Sequence, residues 1–301
     1  MKDCLYRGLI EDIKVRFSYS ISSKTCNDLI LAHNCDPAAA HILGRATCAG
    51  LLLSPSLGEE ERLNIQWHYE GAIRSLMVDV NDQSEIRALI SPTNLSGHAS
   101  KQTLYGPKAL MKVMKSRQSA VLSSGTTESI LADEVNDLAY YFSFSDQIET
   151  GMLVMIGFNN DPKSPVSLTQ GLMIQAMPDC DLEQFERLRQ RLDSKEIREL
   201  LSQCSESDNH LEKILKTLLS EEDIEPKFSL FDCPEPKFSC GCSINKMAVV
   251  MKSFSYNDRM DMVKKGEDIR INCNFCGKLY ALSINDCIKI WNDKWEATEE
   301  D

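Results

Sequence analysis

Cys240-Gly-Cys242 and Cys273-Asn-Phe-Cys276 are the residues of this chain best suited to chemistry. Each pair is spaced so that two thiolates reach one ion. The stretch between Cys242 and Cys273 is long enough for the chain to return and close a tetrahedron. Four soft sulfur donors suit Zn²⁺, and a site closed by four protein sulfurs keeps no position for a water or a substrate. The metal expected there is structural, or part of a switch, rather than a catalytic Lewis acid.

Three uses of such a quartet compete: a constitutive zinc ribbon that binds a protein partner, a redox switch, and a thiol-disulfide oxidoreductase built on Cys273 and Cys276. The last is weakened by the second cysteine pair and by the lack of a thioredoxin-like strand-helix-strand context. No Gly-rich Lys-Ser/Thr phosphate loop and no Ser/His/Asp set is recognisable, so an enzyme is not expected. Cys4, Cys26, Cys35, Cys48, Cys180, Cys204 and Cys287 read as free, often buried thiols, and Cys233, seven residues before Cys240, as a minor competitor for the ion or for an alternative disulfide. Pro234 and Pro236 restrict the reach of Cys233 toward the quartet. His33 and His41 lie among Cys26, Cys35 and Cys48, a pattern more common in cores than in metal sites.

The elements that must position the quartet follow from patterning. Val15, Phe17, Tyr19 and Ile21 alternate with polar residues, as do Leu63, Ile65, Trp67 and Tyr69, predicting strands with one buried and one wet face. Leu76, Val78 and Val80 continue the pattern. Residues 152–158 are apolar on both faces and read as a central strand, with 172–177 as a neighbour. Asp36 as cap and Pro37 at the first helical position predict a helix to about Leu53. A second helix is predicted over 131–142. Strands and helices mix without regular alternation, so the fold class is α+β.

Three regions result: a sheet-and-helix core over 1–178, a helical amphipathic linker over 179–228, and a small zinc-binding domain over 229–301. In the linker Leu182, Phe185, Leu188 and Leu192, then Leu211, Ile214, Leu215 and Leu218, recur at helical spacing, split by the polar run 205–209. The last region lies in the size range where small cores commonly need a metal or other staple.

The chain has 301 residues and a formal net charge of −12, with 45 acidic against 33 basic side chains. That balance repels phosphate backbones and argues against a nucleic-acid partner. The start has no signal-peptide core, and the longest apolar run, 46–53, is far below the roughly 18 residues of a membrane span. The expectation is a cytoplasmic protein with no membrane partner, where 12 cysteines are ligands, sensors or buried hydrophobes rather than a disulfide framework.

The order of parts resembles the heat shock protein 33 family, the 33 kDa chaperonins. The specific match is Phe238-Ser-Cys-Gly-Cys-Ser243 with Ile271-Asn-Cys-Asn-Phe-Cys-Gly-Lys-Leu-Tyr280. Weaker echoes are Tyr6-Arg7 with Val15-Arg16, the stretch 137–147, and 171–178. Gln170 stands where the family usually has a second glycine, and Asp146 where it has glutamate.

The resemblance implies an ATP-independent holdase, silent when reduced and active when oxidised, with Zn²⁺ on Cys240, Cys242, Cys273 and Cys276. It implies disulfides Cys240–Cys242 and Cys273–Cys276 on oxidation, the second closing more readily because its two-residue spacer is common in disulfide-forming motifs. Unfolding client proteins are the implied partners, gripped by the linker faces carrying Leu182, Phe185, Leu188, Leu192, Leu211, Ile214, Leu215 and Leu218. A homodimer is implied in the oxidised state.

Overall fold

A computed structural model describes residues 2–98, 100–118, 120–203, 209–220, 222 and 227–293. Cys204 and most of the polar run 205–209 lie outside the described residues. The chain forms two compact units, Met1–Ser239 and Cys240–Asp301.

In the first unit, β1 (Cys4–Ile10) and β2 (Val15–Ile21) are followed by α1 (Ser23–His33) and α2 (Pro37–Leu53). Then come β3 (Glu61–Tyr69), β4 (Ser75–Asn81), β5 (Glu85–Ser91), the short α3 (Lys101–Tyr105), β6 (Ala109–Arg117), β7 (Ala120–Ser129) and α4 (Glu134–Phe144). Strands β8 (Thr150–Phe158) and β9 (Val166–Ala176) precede α5 (Leu182–Leu192), α6 (Lys195–Leu201) and α7 (His210–Leu218). Two short strands, β10 (Phe228–Asp232) and β11 (Lys237–Phe238), end the unit. One sheet has the order β10-β1-β2-β9-β8 and the other β11-β5-β4-β3-β6-β7.

Helix α2 starts where its cap chemistry requires, with the Asp36 carboxylate accepting from the Ala39 amide at 2.7 Å and Pro37 at the first turn. It lies between the sheets, and two glycines allow the close approach. A Cβ at Gly50 would sit 2.5 Å from Val78 Cγ1, and one at Gly171 would sit 2.8 Å from Cys48 Sγ. Along β3 buried and less buried residues alternate as the sequence predicts.

Three expectations change. Ser18 and Ser20 of β2 are buried, not wet, because α2 covers that face and the helices α5–α7 cover the other. Strand β8 is an edge strand, not a central one. Its double apolar character comes from α2 and α4 against it and from α5 and α6. Helix α4 begins at Glu134 because the Asp133 side chain accepts from the Val135 and Asn136 amides.

Helices α5–α7 form an outer layer on the first sheet. Phe185, Leu188, Leu192, Leu211, Ile214, Leu215 and Leu218 join Val15, Phe17, Tyr19, Leu172 and Ile174 in one core. The residues read as linker, 179–228, therefore lie on the first unit, as do 229–239. No helix among the described residues is long and apolar enough to cross a membrane.

The second unit contains α8 (Ile244–Lys252), α9 (Tyr256–Lys265), the hairpin of β12 (Ile269–Asn272) and β13 (Leu279–Leu282), and α10 (Ile284–Trp291). Its core gathers Ile244, Ala248, Met251, Tyr280, Leu282, Cys287 and Ile290 around buried Cys273.

Candidate metal centre

Two loops supply the quartet. Cys240 and Cys242 sit just before α8, whose cap Ser243 accepts from the Lys246 amide. Cys273 and Cys276 sit in the turn joining β12 to β13. There the Cys273 amide donates to the Lys278 carbonyl at 2.9 Å and the Gly277 amide to the Cys273 carbonyl at 2.8 Å. Gly277 has φ +69°, the left-handed region where a side chain is strained, so glycine lets the turn close and aim both thiols inward.

The four sulfurs lie within 4.8 Å of one another. Cys240 Sγ is 3.6 Å from Cys273 Sγ, and Cys242 Sγ is 3.4 Å from Cys276 Sγ. Zinc–sulfur bonds of about 2.3 Å in a tetrahedron put sulfurs roughly 3.8 Å apart, so the spacing fits an ion of that size. It is far longer than the ~2.05 Å of a disulfide, and every cysteine among the described residues is a free thiol. The residues present fit a four-thiolate metal centre. Among the described residues, it is the group of His, Cys, Asp and Glu side chains brought together with such geometry.

The sulfurs are not equivalent. Burial raises the Cys242 thiol, but the Tyr280 hydroxyl, 3.1 Å away, and the neighbouring sulfurs outweigh it and bring it down to about 7. Burial, reinforced by the other sulfurs, pushes Cys276 up to about 12 and also raises Cys240. The hydrogen bond to Cys242, then burial, raises Tyr280 in turn. Tyr280 was not singled out by the sequence as a partner of the quartet. Its place two residues before the end of β13 was the available signal.

Among the described residues, burial raises the thiols outside the quartet. Burial pushes Cys26 and Cys35 up to about 12 and Cys287 up to about 11, and raises Cys48 further, suppressing their nucleophilic thiolates. His33 is engaged through Nε2 with the Ala88 carbonyl at 2.8 Å. Of the expected client-binding side chains, seven are buried and Leu182, at the start of α5, is 59 % exposed. The structure also gathers a carboxylate cluster on α4 that sequence spacing alone does not reveal. Arg45 meets Asp133 at 2.9 Å and Glu134 at 2.8 Å, and the Tyr69 hydroxyl donates to Asp137 at 2.9 Å.

Comparison with known proteins gives one consistent answer. A family model described as Hsp33 protein matches residues 3–283. A 33 kDa chaperonin of Clostridium botulinum (strain Eklund 17B / Type B) is 27 % identical over 297 residues, covering 96 % of this chain and 98 % of the relative. One from the Langeland strain is 26 % identical over 293 residues, covering 95 % of this chain and 96 % of the relative. The crystal structure of the 33 kDa chaperonin of Thermotoga maritima shares the fold with a TM-score of 0.79 at 20 % identity, over 98 % of this chain and 99 % of that one.

Proposed function

The chain belongs to the Hsp33 family of redox-regulated holdase chaperones, which are not enzymes, and from that premise we propose that Cys240, Cys242, Cys273 and Cys276 are its zinc ligands and its redox switch. A zinc ion there supplies a redox-inert cross-link with no open coordination position. The thiolates do the sensing. Peroxide transfers one oxygen to a thiolate as its O–O bond breaks, giving a sulfenic acid and a hydroxide that takes a proton from solvent to become water. A neighbouring thiol then attacks that sulfur, forming the disulfide and a second water.

The disulfides assigned are Cys240–Cys242 and Cys273–Cys276. In the folded unit the shortest separations run between motifs, 3.6 and 3.4 Å. Once the unit loosens, only sequence proximity holds sulfurs together, and short loops close at least entropic cost. Disulfide sulfurs carry no thiolate charge with which to ligate, so the quartet no longer ties α8 to the β12–β13 turn.

Residues 179–228 act as a releasable linker, and residues from 229 belong functionally with the switch. Each fully buried Leu, Ile or Phe of α5–α7 is worth about 1.5–3 kcal/mol against sheet residues such as Phe17 and Ile174. Their release uncovers two apolar faces for unfolding clients, without ATP. Leu182 is exposed from the outset and contributes in either state. The oxidised form pairs as a homodimer, and the cytoplasm, where thiols stay reduced until stress, is its place of work.

The observation that carries this reading is the convergence of four thiols at metal-ligand spacing in a unit with a small core. The test is peroxide treatment at raised temperature with thiol titration, zinc counting and light scattering of an aggregating client. About one zinc per chain is expected to be released as suppression appears. Suppression that develops with zinc retained, or equal suppression in both redox states, would overturn the switch.

A further inference from the structure

The first sheet ends in a strand that the protein itself has laid on an otherwise open edge. Strand β10 pairs antiparallel with β1 from Tyr6↔Asp232 to Ile10↔Phe228. On its other side β1 is fixed by a longer ladder to β2, from Cys4↔Ile21 to Ile10↔Val15. The two strands differ in how they are held. Leu5 and Ile10 of β1 are buried, whereas Leu230 and Phe231 of β10 are 45 % and 55 % exposed. Phe228 meets buried Phe17 edge-on at 6.5 Å, and Arg7 sits 6.0 Å over the Phe231 ring. The Ser229 hydroxyl donates to the exposed Glu11 carboxylate at 2.9 Å, and the ladder to β1 supplies the backbone hold. At Gly8 the strands come so close that a Cβ would lie 2.3 Å from the Ser229 carbonyl.

Beyond β10, the strand β11 pairs with β5, and the Ser239 amide donates to the Ile86 carbonyl at 2.9 Å. The next residue is Cys240. The segment 228–239 is thus a strap over edges of both sheets, ending where the second unit starts. A strand of five residues at an edge is weakly held on its own. Removing it bares a row of β1 amides and carbonyls, a template for another chain.

We propose that the β1 edge is a client-accepting site, and that β10 occupies it in the resting protein as a built-in substitute. Its occupant in the active state is an extended segment of a non-native polypeptide, added as a strand with a large apolar side chain set against Phe17. Strand addition draws affinity from backbone hydrogen bonds, which every polypeptide offers. That chemistry suits a protein that must hold clients of unrelated sequence. The inference rests on the holdase reading above and names where part of the client binds.

The amides that pair with β1 can be identified. The Cys233 amide donates to the Leu5 carbonyl at 3.0 Å, and successive amides alternate between edges, so those of Phe231 and Ser229 face β1 as well. The probe is a labelled synthetic peptide of residues 227–232, offered to the full chain, reduced or peroxide-oxidised, and followed by fluorescence anisotropy. The peptide should bind the oxidised chain only. N-methylation at Ser229 and Phe231 should weaken it about tenfold, since two ladder bonds are lost. N-methylation at Leu230 and Asp232 should not. Saturating peptide should reduce suppression of client aggregation.

Equal binding of the two methylated peptides would overturn the proposal, as would equal binding to the reduced chain. So would undiminished suppression at saturation, including the case in which peptide only separates oxidised homodimers and thereby assigns the edge to a second copy. Absence of suppression in every redox state, with methylation-sensitive binding intact, refutes the holdase reading and upholds the strand-accepting edge.

Discussion

The two units are held together by different means. In the first, two sheets enclose α2, and cores on both faces of one sheet bury Trp67, Phe17 and Phe185 almost completely. In the second, α9 buries no residue at all, and Val249 and Tyr256 are 68 % and 72 % exposed. A unit of that size cannot bury enough apolar surface to offset chain entropy unaided. The contrast shows where sensing can be placed. On the proposed reading a chemical event at four sulfurs decides the fold of the second unit, while the described thiols of the first, buried like Cys26 or partly exposed like Cys180, are held protonated by desolvation.

The largest test of this contrast is metal removal. Structural zinc contributes on the order of 10 kcal/mol to a small thiolate-bound domain, comparable to a whole domain's net stability. Chelation of the reduced chain should abolish amide protection across α8, α10 and the β12–β13 hairpin. Protection of β3, β4 and β9 should persist. Hydrogen exchange read by mass spectrometry separates the units, and a second unit still protected without metal would erase the distinction.

A second test uses pH, to which the units should respond with opposite sign. Burial pushes Glu134 from 4.5 up to about 7, with Asp133 adding to the shift, although Arg45 and the Tyr105 hydroxyl oppose it. The folded state therefore holds a proton that the unfolded chain releases above 4.5. Stability from this group is full below pH 4.5 and is lost as pH rises through about 7. Linkage makes that roughly 3 kcal/mol. Metal–thiolate sites instead tighten as pH rises, because protons compete for sulfur. Urea unfolding of the first unit between pH 5 and 8 should show the decline, and Glu134→Gln should flatten it. An equal slope in the variant would remove Glu134 as the cause.

Legibility in the sequence followed the same division. The quartet could be read because metal ligation depends on residue type and spacing, which the sequence displays directly. Helix α2 could be read from Asp36 and Pro37, and α5–α7 from their apolar period, since caps and periodicity are local. What the sequence did not show depends on partners distant along the chain. Ser18 and Ser20 looked solvent-facing until α2 covered them. Strand β8 looked central because helices, not strands, supply its neighbours on both faces. The Arg45–Asp133–Glu134 cluster joins residues 88 positions apart. None of these leaves a local trace.

The smallest effect, and the sharpest probe of whether the α5–α7 layer is releasable, concerns Gln170. This fully buried side chain of β9 accepts from the Tyr19 hydroxyl at 2.7 Å and donates through Nε2 to the Gln203 carbonyl at 2.7 Å. Gln203 lies just beyond α6, so one amide fastens the end of that helix to the sheet beneath it. The apolar core shared by the layer and the sheet is non-directional, whereas this hydrogen-bonded pin fixes position. Gln170→Leu keeps the volume roughly constant but leaves a buried hydroxyl and a carbonyl without this partner, at about 1–3 kcal/mol. In the reduced chain, exchange should quicken in α6 and α7 and the peroxide threshold for client suppression should fall, while the four-thiol unit keeps its protection. If β2 and β9 lose protection to the same extent as α6, then Gln170 supports the sheet itself, and the layer and the sheet open as one body.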